Sequence, residues 1–355
     1  MEDMEINSHF WKDRSVFLTG HTGFKGGWMT LWLSDMGAKV HGYSLETISN
    51  PSFFKITSLD KKLASSTIAN IQNFATLKSA MMLAKPSVII HMAAQPLVLE
   101  SYDAPIETFK TNIIGTANLL EAARKIKTVE AIVIITTDKC YENKEQLNPY
   151  IESDKLGGYD PYSSSKACAE LVSAAYRNSY LEKSGIKVAT VRAGNVIGGG
   201  DWAKNRLIPD FLRSVDTNKK LFVRSPDSIR PWQHVLEPLF GYLLLAEKLV
   251  TEGDFFAQAW NFGPIENDSK PVSWVVNYLA KNFPSAQWDI DKTIHAHEAS
   301  LLLLDSSKAT NYLNWKPRWS LQIALDKIME WHQAWKQNKL MDEISISQIK
   351  SYLYE

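Results

Sequence analysis

Tyr162 and Lys166 stand four residues apart, a spacing that puts a phenol and an ammonium on one face of a helix. A phenolate so placed can take the proton of a secondary alcohol while a hydride leaves the same carbon. The ordinary tyrosine pKa of about 10 must fall for this, and Lys166 together with a cationic nicotinamide ring would lower it. Thr137 closes an upstream apolar run and would hold the substrate hydroxyl in line. Asp138 and Lys139 follow directly. Beside a new ketone, the carboxyl could protonate a leaving hydroxyl and the amine could remove an acidified α-proton. To act as a base, Lys139 needs burial or a neighbouring cation such as Lys166 to make it neutral.

A second constellation names the hydride's destination. Thr19-Gly20-His21-Thr22-Gly23-Phe24-Lys25-Gly26 lies between an apolar run, Val16–Leu18, and an amphipathic stretch, Trp28–Leu33. That is a strand, a glycine turn and a helix, whose first N–H groups and dipole suit a pyrophosphate. Gly20, Thr22, Gly23, Phe24, Lys25 and Gly26 are therefore cofactor candidates, joined by Tyr162 and Lys166 at the nicotinamide end. Asn195, Arg206 and Arg230 are candidates for a substrate diphosphate. His91 reads as structural.

Elements that could position these groups alternate along the first half. Apolar runs occur at Val16–Leu18, Lys39–Tyr43, Thr67–Ile71, Val88–Met92, Ala131–Thr136 and Val188–Ala193. Helical periods lie between most of them, as in Ile106–Arg124 and Pro161–Glu182. The former puts Ile106, Phe109, Ile113, Ala117 and Leu120 on one stripe. Continuous apolar strands separated by helices predict an α/β fold, a Rossmann-type doubly wound parallel sheet. Gly37 and Pro86 mark element boundaries. Residues 194–201 read as loop. A helix (Val235–Leu249) and a strand (Trp260–Phe262) return to the sheet, while Leu207–Val215 and Leu321–Trp335 supply helices of a smaller, mixed α/β C-terminal lobe. The expected division is 1–193 with 232–262 for the dinucleotide and 194–231 with 263–355 for the substrate. Ligands bind beyond the carboxyl ends of such strands, so Thr19, Ala93, Thr137 and Asn195 should line one cleft.

Composition narrows the partners. The 355 residues carry 39 basic and 39 acidic side chains, leaving no net field for nucleic acid or an anionic membrane. The acidic start, Met1–Glu5, lacks the basic and apolar regions of a signal peptide, and no apolar run reaches membrane-spanning length. Two cysteines, Cys140 and Cys168, suggest neither a metal site nor a disulfide framework. A cytoplasmic setting follows as the expectation.

Thr-Gly-x-x-Gly-x-x-Gly with Tyr-x-x-x-Lys resembles the extended short-chain dehydrogenase/reductase family. Residues 91–95, 111–116, 192–196 and 260–263 resemble its successive landmarks, in the nucleotide-sugar branch. Longer strings, residues 20–26, 93–98, 137–142, 192–202 and 230–238, are similar to the 4,6-dehydratases of that branch that act on CDP-glucose. The resemblance implies NAD, with Asn70, Ile71, Ala93 and Ala94 also at the cofactor and Gln95 at the substrate. It implies transient C4 oxidation with Tyr162 as base, loss of water across C5–C6, and hydride return to C6, giving a 4-keto-6-deoxy sugar. Related dTDP-glucose enzymes have Asp-Glu after the threonine, so Lys139 stands where their glutamate does. Gly42–Leu45 stands where an NAD site usually ends its second strand in an acid, which leaves NADP open. Asn70 replaces a usual aspartate near the adenine amine, so weakened NAD binding is expected. Another nucleoside diphosphate glucose, 4-epimerisation, and a non-catalytic NAD-sensing regulator are the competing readings. The resemblance further implies deoxysugar supply for surface polysaccharide such as O-antigen lipopolysaccharide, and a homodimer or homotetramer built through helices flanking the sheet.

Overall fold

A computed structural model describes residues 6–293 and 299–354. The acidic segment Met1–Glu5 lies outside the described residues. Seven strands form the main sheet: β1 (Ser15–Thr19), β2 (Lys39–Ser44), β3 (Ser65–Ile68), β4 (Val88–His91), β5 (Ala131–Ile135), β6 (Lys187–Arg192) and β7 (Ala259–Asn261). Their order is β7-β6-β5-β4-β1-β2-β3, and every pairing is parallel. The direction of winding therefore reverses between β1 and β4, where such sheets open a crevice.

The apolar runs are continuous because both faces are covered, and alternate residues go to opposite cores. Val88 and Ile90 join the core beneath the helices Phe24–Asp35 and Leu236–Thr251. Ile89, Ile132 and Ile134 join the core beneath Phe74–Ala84 and Gly115–Ala123. A third core, with Phe211, Val223, Val275 and Ile328, builds the smaller lobe. The last helix, Met341–Tyr354, returns to the nucleotide-binding side, where Tyr352 meets the edge of Trp32.

Several local expectations are corrected. β3 begins two residues before the predicted Thr67, because Ser65 and Ser66 pair on an edge strand where no apolar run is needed. The Trp28–Leu33 stretch is not amphipathic: all six side chains are buried, with Phe53 stacked on Trp28 and Tyr352 of the last helix against Trp32. The stripe predicted on Ile106–Arg124 is buried only in part: Leu120 is in the core, Phe109, Ile113 and Ala117 are half-buried, and Ile106 is exposed. Thr108, Asn112, Gly115 and Thr116 are buried, whereas Ile106 and Ile114 are exposed. A π-turn at Lys110–Ile114 shifts the helical phase, and Gly115 permits an approach to Ile71 that a Cβ would block at 2.6 Å. Within the predicted loop 194–201, Val196–Ile197 pairs in parallel with Gln233–His234.

Candidate active site

Cleft-lining residues come from the ends of six strands, β1 to β6, and from the smaller lobe. The cleft has a volume of about 1580 Å³, and all the predicted cofactor, catalytic and substrate residues border it. Thr19 does not. Its hydroxyl is buried, accepting the N–H groups of Met92 and Ala93 and meeting His91 Nδ1 at 2.7 Å. The hydroxyl therefore donates to Nδ1, and the opposite ring nitrogen lies 3.2 Å from Thr116 Oγ1. Burial pushes His91 down to about 3, so a neutral ring ties the ends of β1 and β4 together.

The glycine turn abuts that tie. Gly20 has φ +78°, and a Cβ there would stand 2.9 Å from the Ala93 nitrogen. A Cβ on Gly26 would reach the Gly20 carbonyl at 2.1 Å. Both positions therefore require glycine, and the helix Phe24–Asp35 starts with no side-chain cap. A turn this close to a helix N-terminus with unclaimed N–H groups fits a pyrophosphate. Thr22 donates to the Leu45 carbonyl at the end of β2, and Glu46 borders the same space. A carboxylate there disfavours a ribose 2′-phosphate, so the residues fit NAD better than NADP. Asn70 is partly engaged: its side-chain oxygen accepts Gln72 N–H at 2.9 Å, and its carbonyl accepts the Tyr43 hydroxyl.

At the ends of β5 and β6 the catalytic candidates meet. Thr137 caps a short turn, Asp138–Cys140, that turns Asp138 inward to complete burial. Thr137 Oγ1 donates to Asp138 Oδ1 at 3.0 Å, and Lys139 Nζ lies 3.4 Å from the same oxygen. The other carboxyl oxygen, Oδ2, is buried with no partner. Gly194 makes its room: a Cβ there would come within 1.8 Å of Oδ2. Tyr162 opens the helix Pro161–Tyr176 and hydrogen-bonds Thr137. Burial raises its phenol to about 12; Thr137 and the Arg206 charge oppose the rise, and Asp138 adds to it. Lys166 lies one turn on, donating to the Ile135 carbonyl at 3.0 Å, and burial lowers it to about 8 against the pull of Glu170.

The substrate candidates divide. Arg206 pairs with Asp201 at 2.9 Å and is within electrostatic range of Tyr162. Asn195 adopts φ +40° and keeps a buried amide oxygen unpartnered. Arg230 is buried on Ile229–Pro231, which pairs with Ser269–Pro271. Gln95 borders the cleft, yet its amide nitrogen serves Leu97 and Thr108.

Two features escaped sequence reasoning. Lys25 reaches Tyr242 Oη at 3.0 Å, and burial lowers its ammonium to about 7, with Lys166 and Arg206 adding to the fall. No local spacing links it to Tyr242. Glu170, by contrast, is four residues beyond Lys166, so helical spacing could have found it. Its carboxylate receives Thr136, Thr190 and two nitrogens of Arg192. Among the described residues, no group of three or more His, Cys, Asp or Glu is placed to hold a metal.

Comparison with known proteins places this geometry in context. The family described as GDP-mannose 4,6 dehydratase matches residues 17–328. CDP-glucose 4,6-dehydratase of Salmonella typhimurium is 49% identical over 354 residues, covering 98% of each chain. The crystal structure of dTDP-glucose 4,6-dehydratase from Bacillus anthracis, in complex with NAD, superposes with a TM-score of 0.75 at 21% identity, over 92% of this chain and 98% of that one. UDP-glucose 4-epimerase of Thermotoga maritima gives 0.76 at 21%, over 91% and 98%.

Proposed function

As a member of the GDP-mannose 4,6 dehydratase family, this chain is, we propose, an NAD-dependent dehydratase that converts CDP-glucose to CDP-4-keto-6-deoxyglucose. The observation that carries the reading is the partnerless Asp138 oxygen, buried beside the hydrogen-bonded Tyr162 and Thr137. A buried polar atom left bare in a cleft calls for a ligand group. Bound NAD supplies the hydride acceptor and later the donor. Tyr162 takes the C4 hydroxyl proton, and Thr137 holds that oxygen in line. Lys166 and Arg206 contribute the positive charge that makes the phenol more acidic. Once C4 is a ketone, the C5 proton is acidified; Lys139 removes it and Asp138 protonates the departing C6 hydroxyl. Lys139 then returns its proton to C5 as C6 is reduced, and the proton held by Tyr162 restores Asp138 to its acid form. Arg206, Arg230 and Asn195 hold the diphosphate.

An acid beside the C5–C6 bond favours elimination over 4-epimerisation, which needs only the ketone and a turning sugar. Incubation with NAD and CDP-glucose should yield a 4-keto sugar, read by its absorbance in alkali, with no net reduction of NAD. CDP-galactose without keto sugar would establish the epimerase instead. No keto sugar from any nucleoside diphosphate hexose would leave the NAD-sensing regulator.

The same reading covers the setting. Among the described residues, no helix is long and apolar enough to cross a membrane, which accords with cytoplasmic supply of a deoxysugar nucleotide for surface polysaccharide. Ile106, Ile114, Leu171 and Tyr180 are exposed on neighbouring helices. Apolar side chains turned outward on such a pair suit the homodimer contact, alone or within a homotetramer.

A further inference from the structure

We propose that Arg224 and Asp210, neighbouring charges that both border the cleft on its lobe side, read the Watson–Crick edge of the substrate's base and select cytosine. The inference rests on the nucleotide-sugar reading above and names the residues that set its specificity. Both side chains border the cleft. Arg224 follows the lobe strand Leu221–Val223, which pairs in parallel with Trp288–Ile290. Asp210 lies in the first turn of the helix Leu207–Asp216. The two are within electrostatic reach, and Arg224 helps hold down a carboxyl that burial otherwise raises.

Their place along the cleft matches the layout of a nucleotide sugar. Arg206, within electrostatic range of Tyr162, stands immediately before that helix, on the diphosphate side of the reacting sugar. Asp210 is one turn farther along, about 5.4 Å of rise. A ribose intervenes between diphosphate and base on the same scale. Asp210 is also fixed rather than free: Arg213 bonds its Oδ1, and Arg213 in turn holds the Trp202 and Ala203 carbonyls. With its side chain about one-third exposed, the carboxylate keeps lone pairs for a ligand.

Cytosine presents two acceptors, O2 and N3, beside an amine donor at N4. A guanidinium can donate to the acceptors while a carboxylate accepts from the amine, the pairing that Asp and Glu make with this base in nucleic acids. Uracil and thymine reverse two of the three groups. Their N3–H would point at arginine donors and their O4 at a carboxylate. Specificity would thus come from repulsion of the wrong bases as much as from attraction to the right one.

The test compares kcat/KM for CDP-, UDP- and dTDP-glucose in the NAD-loaded enzyme, its Arg224→Leu variant and its Asp210→Asn variant. Arg224→Leu should narrow the preference for CDP- over UDP-glucose by roughly 10- to 100-fold, mainly through KM. Asp210→Asn should narrow it by a smaller factor. Titration calorimetry with CMP and UMP should show the same narrowing without turnover, and also serves if a variant is catalytically impaired. A parent that prefers CDP-glucose, with both variants keeping its ratio, overturns this inference and leaves the proposed reaction standing. A parent that makes keto sugar from UDP- or dTDP-glucose in preference overturns the base assignment in both. A parent inert on all three overturns the underlying reaction itself.

Discussion

Two buried carboxylates flank the end of β5, and they are treated in opposite ways. Glu170 is saturated: Thr136, Thr190 and a doubly bonded Arg192 meet both of its oxygens. Asp138 shares one oxygen between Thr137 and Lys139 and leaves the other bare. Burial of an ion is tolerated where its lone pairs are filled, and it is costly where they are not. The filled site builds the frame, and the open one faces the chemistry.

That contrast can be broken most directly at the group beside the open carboxylate. Tyr162→Phe should abolish ketone formation, a loss on the order of 10²- to 10⁴-fold in kcat, with no reduced NAD seen at 340 nm (about the usual NADH band). Full turnover by this variant would remove the phenol from the mechanism. Glu170→Gln tests the other member of the pair. It strands Arg192, whose side chain is 4% exposed, and should cost about 3–5 kcal/mol of stability by denaturant unfolding. Asp138→Asn should do the reverse. Its Tm should hold or rise, while C4 oxidation proceeds and elimination stalls by on the order of 10²-fold, so that NADH absorbance accumulates.

Smaller effects sharpen the picture. The phenolate is the active form, so kcat/KM should rise with pH until Tyr162 is ionised in the complex. Removing the Lys166 charge in Lys166→Met should push that limb upward by about one unit, read from the pH profile. The smallest effect is expected at the adenine end. Asn70→Asp should tighten NAD binding a few-fold, by about 1 kcal/mol or less, and unaltered affinity in titration calorimetry would count against a missing charge there.

Much of this was legible in the sequence, for physical reasons that differ by region. The glycine turn and the parallel sheet are local matters: apolar continuity, strand–turn–helix order and glycines that admit no Cβ. The catalytic tyrosine and lysine are four residues apart and advertise themselves by helical period. β3 was misplaced because edge pairing recruits serines that no apolar criterion finds. The stripe on Ile106–Arg124 holds at Leu120 but fails at its start, because Thr108 and Asn112 pack inward there while Ile106 stays outside. Thr19 was assigned to the cleft by its strand-end position, but its hydroxyl is claimed by His91 and two backbone N–H groups. Lys25 and Tyr242 are 217 positions apart, and nothing in the spacing of either predicts their bond.

The helix that begins at the dinucleotide turn has its outer side sealed by the final fourteen residues of the described chain, through Trp32 and Tyr352. During synthesis Trp32 therefore emerges long before the Tyr352 that covers it. Completion of the nucleotide-binding half thus waits for that distant segment, and the interval before it is when this half most needs protection from aggregation.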